Sequence, residues 1–121
     1  MAVTQVLVDT PDGLTRYENT DVDAVSGVKG AAGTIHSIIV DNTLNAAITY
    51  LKMWNVASGS VTFGTTSPDY IIQIPASVKR SIVFPEGLAF TVALSVAAST
   101  TAALAGVTAP TSSVPLQILY V

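Results

Sequence analysis

The chain has 121 residues, half of them hydrophobic and only 11% charged, with a formal net charge of −3 and no cysteine. That length suits one domain with its own core, and the composition excludes a disordered polyelectrolyte. Five basic residues, of which only Lys79 and Arg80 are adjacent, exclude a phosphate-gripping nucleic-acid surface, and the missing cysteines exclude disulfide staples, zinc–thiolate sites and cysteine nucleophiles.

Residues 3–9, VTQVLVD, have the pattern of a first strand, with Val6 and Val8 on one face. The N-terminal stretch lacks a basic region followed by an apolar one, so no signal peptide is expected. From Thr10 to Gly33 the periodicity fades and Gly, Asp and Asn accumulate; five of the eight acids lie between Asp9 and Asp23. Residues 9–33 are therefore expected to form an acidic loop or arm, long enough to reach a neighbour.

Regular alternation begins at residues 34–42, TIHSIIVDN, and resumes at 47–55, AITYLKMWN, after the turn DNTLNA. A short VTF at 61–63 and a Gly/Pro turn GTTSPD lead to YIIQI at 70–74, which Pro75 ends because it has no N–H for a ladder bond. SVKRSIVF at 77–84 is the next strand, and FPEG, with proline second and glycine fourth, has the form of a type I turn. VPLQILYV at 114–121 closes the chain.

Between the last two lies GLAFTVALSVAASTTAALAGV, residues 87–107, which is free of charge and long enough to cross a bilayer as a helix. Its pattern excludes that reading. Leu88, Phe90, Val92, Leu94 and Val96 alternate with Ala89, Thr91, Ala93, Ser95 and Ala97, which is the period of a strand, and ASTT interrupts the run. A buried strand, a polar turn and a second short strand are expected, with at most one helical turn in TAALAG. The whole reads as a single all-β domain over residues 1–121: an antiparallel β-sandwich of about eight strands, jelly-roll-like.

The inventory for catalysis is thin. The single histidine, His36, lies inside a strand, and no G-x-S-x-G nucleophile elbow accompanies it. Asp9, Asp12, Glu18, Asp21 and Asp23 are oxygen donors of the kind Ca²⁺ prefers, but their spacing does not match a calcium loop, and a solvated acidic loop accounts for them. Asp41, Asp69 and Glu86 each stand beside a turn residue, and GVKGAAGT lacks the lysine placement and following helix of a phosphate loop. No enzyme, metal or cofactor is expected. Tyr50 and Trp54 share a strand face with Ile48 and Lys52, which is either a core tryptophan or a sugar-stacking surface.

The stretch LKMWNVASGSVTFGTTSPDYIIQIPASVKRSIVFPEGLAF is similar to small virion structural proteins of tailed bacteriophages, the head decoration and tail accessory proteins. The match runs over about residues 33–110 and rests on Gly64, Thr65, Thr66, Pro68 and Asp69, on Ile74, Pro75 and Ala76, and on residues 84–90. The first 32 residues have no counterpart. The resemblance implies no catalysis; it implies a capsid decoration protein on the virion surface, a homotrimer bound to the major capsid protein. A carbohydrate-binding or host-recognition module of the tail, or a neck or tail adaptor, are the alternatives. The low charge also favours packing against other subunits. Candidate contacts are Asp12, Tyr17, Asp21 and Asp23 in the arm, Thr91, Ala93 and Ser95 on the small strand face, and Leu116 and Ile118 in the charge-free C-terminal segment.

Overall fold

The computed structural model describes residues 13–121, so the expected strand at 3–9 and the candidate contact Asp12 lie outside the described residues. In chain order the strands are β1 (Thr15–Asn19), β2 (Ser26–Lys29), β3 (Gly33–Asp41), β4 (Thr49–Trp54), β5 (Tyr70–Ile74), β6 (Lys79–Phe90), β7 (Leu94–Ser99) and β8 (Leu116–Tyr120). One 3-10 turn, Ser58–Ser60, follows β4. The strands form two antiparallel four-stranded sheets, ordered β1-β8-β3-β6 and β2-β7-β4-β5. Partners nest within these sheets, β1 with β8, β2 with β7, β3 with β6 and β4 with β5.

The pleat sorts each strand's side chains. Ile35, Ile38 and Val40 of β3, Leu51 and Met53 of β4, Leu94, Val96 and Ala98 of β7, and Leu116 and Ile118 of β8 meet in one buried cluster between the sheets. Apolar area removed from water at roughly 25 cal/mol per Å² is what holds such a sandwich together.

Three sequence expectations are corrected. Residues 13–33 are not an irregular arm: they contribute β1 to one sheet and β2 to the other. Each of these short edge strands directs only one large apolar residue at the core, Tyr17 and Val28, so neither shows an alternating signature. Val22, fully buried between them, ties this segment down through its N–H to Val114 O at 2.9 Å.

FPEG does not separate two strands. From Ile35 to Ser37, β3 advances two residues, while its partner β6 runs five, from Leu88 back to Val83, so residues 84–87 bulge opposite His36. Pro85 is tolerated because β6 is an edge strand with one row of N–H groups free of the ladder. Gly87 sits at φ +79°, and a Cβ there would overlap Thr34 Cγ2, so glycine is required.

The strand expected over residues 88–97 is likewise divided, and the second short strand expected after ASTT does not form. β6 ends at Phe90, residues 91–93 cross to the other sheet, and β7 begins at Leu94. Asn55 fastens the crossing: its Oδ1 accepts from Val92 N at 2.9 Å and Ala93 N at 3.4 Å, and its Nδ2 donates to Thr91 Oγ1 at 2.9 Å. Among the described residues no helix is long and apolar enough to cross a membrane. VTF at 61–63 is loop, and TAALAG contains a hydrogen-bonded turn closed by Gly106 N to Ala103 O.

Candidate interaction surface

The two sheets differ in what lies on their outer faces. On the β2-β7-β4-β5 sheet the outward side chains include Lys52 and Trp54 of β4 with Ser95 and Ala97 of β7 opposite them. All four are buried. The loop between β4 and β5 folds over them: Ser95 Oγ donates to Val56 O at 2.5 Å and Trp54 Nε1 to Thr66 O at 2.9 Å, and Phe63 meets the indole edge-on at 5.9 Å between centroids. The small residues of β7 therefore allow close approach of covering loops, not of another subunit or of the opposing sheet. Trp54 is the centre of a second, smaller core and presents no ring to a sugar.

Lys52 belongs to the same layer. Its side chain is 1% exposed, its Nζ donates to Ala103 O at 2.8 Å and Gly106 O at 2.9 Å, and the ring of Phe63 lies 5.7 Å away. The only ion pair among the described residues, Arg16–Glu18, is elsewhere, so no carboxylate offsets this buried ammonium. Loss of hydration accordingly pushes the Lys52 pKa down from the ordinary lysine value.

The β1-β8-β3-β6 sheet has a bare outer face. Arg16, Leu119, Ser37 and Val83 form one cross-strand row, and Glu18, Gln117, Ile39 and Ser81 form the next. Val83 is 66% exposed. At the end of the face Asp41 stands opposite Lys79, and a depression of about 260 Å³ lies among Glu18, Ile39, Asp41, Lys79 and Gln117. Asp41 is held ionised by the hydroxyl and backbone N–H of Thr43, which lower its pKa. Two cations and two carboxylates, set round an apolar centre, leave this surface with no net charge.

The predicted contact residues fare unevenly. Ala93, Ser95, Leu116 and Ile118 are at most 2% exposed within the single chain, so they are corrected to internal packing residues with no surface to offer. Tyr17 packs its ring against the core and receives Asn19 Nδ2 at 3.2 Å. Asp21 is exposed but binds within the chain, its Oδ1 accepting from Val114 N at 3.1 Å. Asp23 and Thr91 are exposed. What the sequence reading missed is the apolar group of Val83, Ile39 and Leu119 on the bare face. The signal was present in the alternation of β3, where Ile39 falls out of phase with core residues Ile38 and Val40.

His36, opposite the bulge, makes no hydrogen bond to a serine or carboxylate among the described residues, and no group of three or more His, Asp or Glu residues there is placed to hold a metal ion. No protein-family model matches the chain, and no curated protein or solved structure is significantly similar to it.

Proposed function

We propose that the chain is a structural protein of a tailed-bacteriophage virion, a capsid decoration protein that sits on the head surface as a homotrimer and stabilises the shell by binding the major capsid protein. The observation that carries this reading is an asymmetry of the sandwich: loops cover the outer face of β4 and β7, though Ile71 of β5 beside them is 43% exposed, while the outer face of β1-β8-β3-β6 is uncovered and sets Val83, Ile39 and Leu119 among balanced charges. A bare face without net charge suits docking onto a large protein surface, where charged groups would lose hydration. The nested strand order, which we read as a jelly roll, is an architecture shared by viral capsid proteins and lectins, so it supports the class without selecting within it. The sequence motifs at residues 64–69, 74–76 and 84–90 supply the resemblance to phage proteins. Trimerisation would multiply a weak footprint, because each bound subunit raises the effective concentration of its linked neighbours.

Co-sedimentation with expanded empty heads of the encoding phage, together with solution mass by light scattering, tests the proposal. Saturable binding of a trimer is expected. Failure to bind heads in any oligomeric form overturns it, and a six-fold or twelve-fold ring moves the protein to the neck or tail. The burial of Trp54 removes one of the two rings on which the sugar-binding reading rested; the other, Tyr50, is half-buried.

A further inference from the structure

We propose that residues 100–108 are a strap that opens as a unit, and that Lys52, seated between Ala103 O and Gly106 O, is the lock that holds it shut over the outer face of β4 and β7. The strap is closed at its base, where Thr100 N donates to Thr108 O at 2.9 Å and Ser99 Oγ to Thr101 O at 2.6 Å. Internally Gly106 N donates to Ala103 O at 2.9 Å, which turns both carbonyls toward the lysine. Residues 101–105 are all exposed, and Leu104 and Val107 are nearly half exposed, so little apolar burial retains the segment. Val107 and Ala105 of the strap lie beside Gly64 of the neighbouring loop.

Apart from the bond of Ser99 Oγ at the strap's base, the hydrogen bonds among the described residues that join this strap to the sheet beneath it are the two from Lys52. A segment with few buried contacts and one polar anchor is the kind that opens locally at far lower cost than global unfolding. Opening also rehydrates an ammonium that has no carboxylate partner, which favours the open form. The open form uncovers the Lys52 ammonium and adds a cation to the outer side of the sandwich, while the 55–69 loop stays over Trp54 and Ser95. This inference stands apart from the virion reading, since it depends only on the strap and its lock.

Labelling the folded wild-type protein with an amine-acetylating reagent, followed by peptide mass spectrometry, tests it. Lys52 reacts only when the strap is open, Lys29 and Lys79 report the intrinsic rate, and exchange of the Ile38 and Ile118 amides reports global opening. Lys52 is expected to label at least about ten-fold faster than global opening allows. Gly106→Ala, whose new Cβ would overlap Thr101 Oγ1 inside the strap, should raise Lys52 labelling by a further ten-fold or so while leaving core exchange unchanged. Labelling of wild-type Lys52 at the global rate overturns the proposal, whatever the variant does. An equal rise in Lys52 labelling and core exchange in the variant overturns the strap as a separate unit.

Discussion

Thr49 Oγ1 donates to Asn42 Oδ1 at 2.8 Å, and both side chains are shut away from solvent. The other end of the same amide donates to Ala47 O and Pro75 O, each at 3.0 Å, and more weakly to Ile74 O at 3.4 Å. One asparagine therefore ties the end of β3 to the turn before β4 and to the end of β5. Asn45 does similar work beside it, exchanging two hydrogen bonds with the Ser112 backbone.

Truncating this centre should be costly because buried partners are left unpaired. Asn42→Ala is expected to lower unfolding free energy by about 3 kcal/mol, and Thr49→Val by about 1–2 kcal/mol, since valine keeps the shape but strands Asn42 Oδ1. Urea denaturation of the two variants measures both. A Thr49→Val protein as stable as the wild type would show that the pair contributes nothing net.

Gly87 offers a backbone test. Its positive φ and the place where a Cβ would overlap Thr34 predict that Gly87→Ala costs about 2 kcal/mol or more. Gly30, which has open space around it and no positive φ, is the control, and Gly30→Ala should change stability little. Equal melting temperatures for the two variants would mean that the bulge relaxes freely.

The bulge also shows where sequence reading fails. Strand β5 was legible to the residue, and β3, β4 and β8 nearly so, because both of their faces impose a period of two. FPEG carries the residues of a turn, yet an edge strand can set four residues opposite one as a bulge and continue, and nothing local distinguishes the two outcomes. β1 and β2 were illegible because each is an edge strand of four or five residues that turns a single large apolar side chain, Tyr17 or Val28, to the core, so no period of two appears. The bare and sealed faces could not be told apart either. Ile39 and Ala97 both point outward from their sheets, and only the fold of the 55–69 and 100–108 loops decides which one is covered.

Trp54 reports directly on the sealed face. Its burial, with Nε1 bonded to Thr66 O, predicts blue-shifted emission that acrylamide quenches poorly and that soluble sugars leave unchanged. Saccharide-dependent quenching would reinstate a sugar-binding role for this face. Trp54→Ala should cost about 3–5 kcal/mol through the cavity it leaves.

Lys52 gives the chain an unusual pH dependence. Desolvation holds its folded pKa below the ordinary 10.5, so in the interval between the two values the unfolded state binds more protons than the folded one. Stability should therefore rise with pH through that interval, and the full cost of burying the ammonium applies below it. The wild type minus Lys52→Met difference in urea stability, measured from pH 7 to about 10.5, isolates the lysine, since the tyrosines and the other lysines cancel. Parallel curves would mean that Lys52 is solvated in the folded state.

The bare face makes the most direct demand on function. Val83 is 66% exposed on an edge strand, so Val83→Lys should leave stability within about 0.5 kcal/mol of the wild type. Docking of that face, however, would force the new ammonium out of water beside Leu119 and Ser37 in its row, with its nearest carboxylates already engaged by Arg16 and Thr43. Head binding is expected to weaken by about ten-fold or more, as for a charge introduced into a desolvated contact. Leu44, equally exposed at 67% but at the end of the sandwich between β3 and β4, supplies the comparison: Leu44→Lys should bind as the wild type does. The reverse pattern, with Leu44→Lys impaired and Val83→Lys unaffected, would move the contact from the sheet face to the end of the sandwich, where Leu44 and Ile48 border a second depression of about 330 Å³.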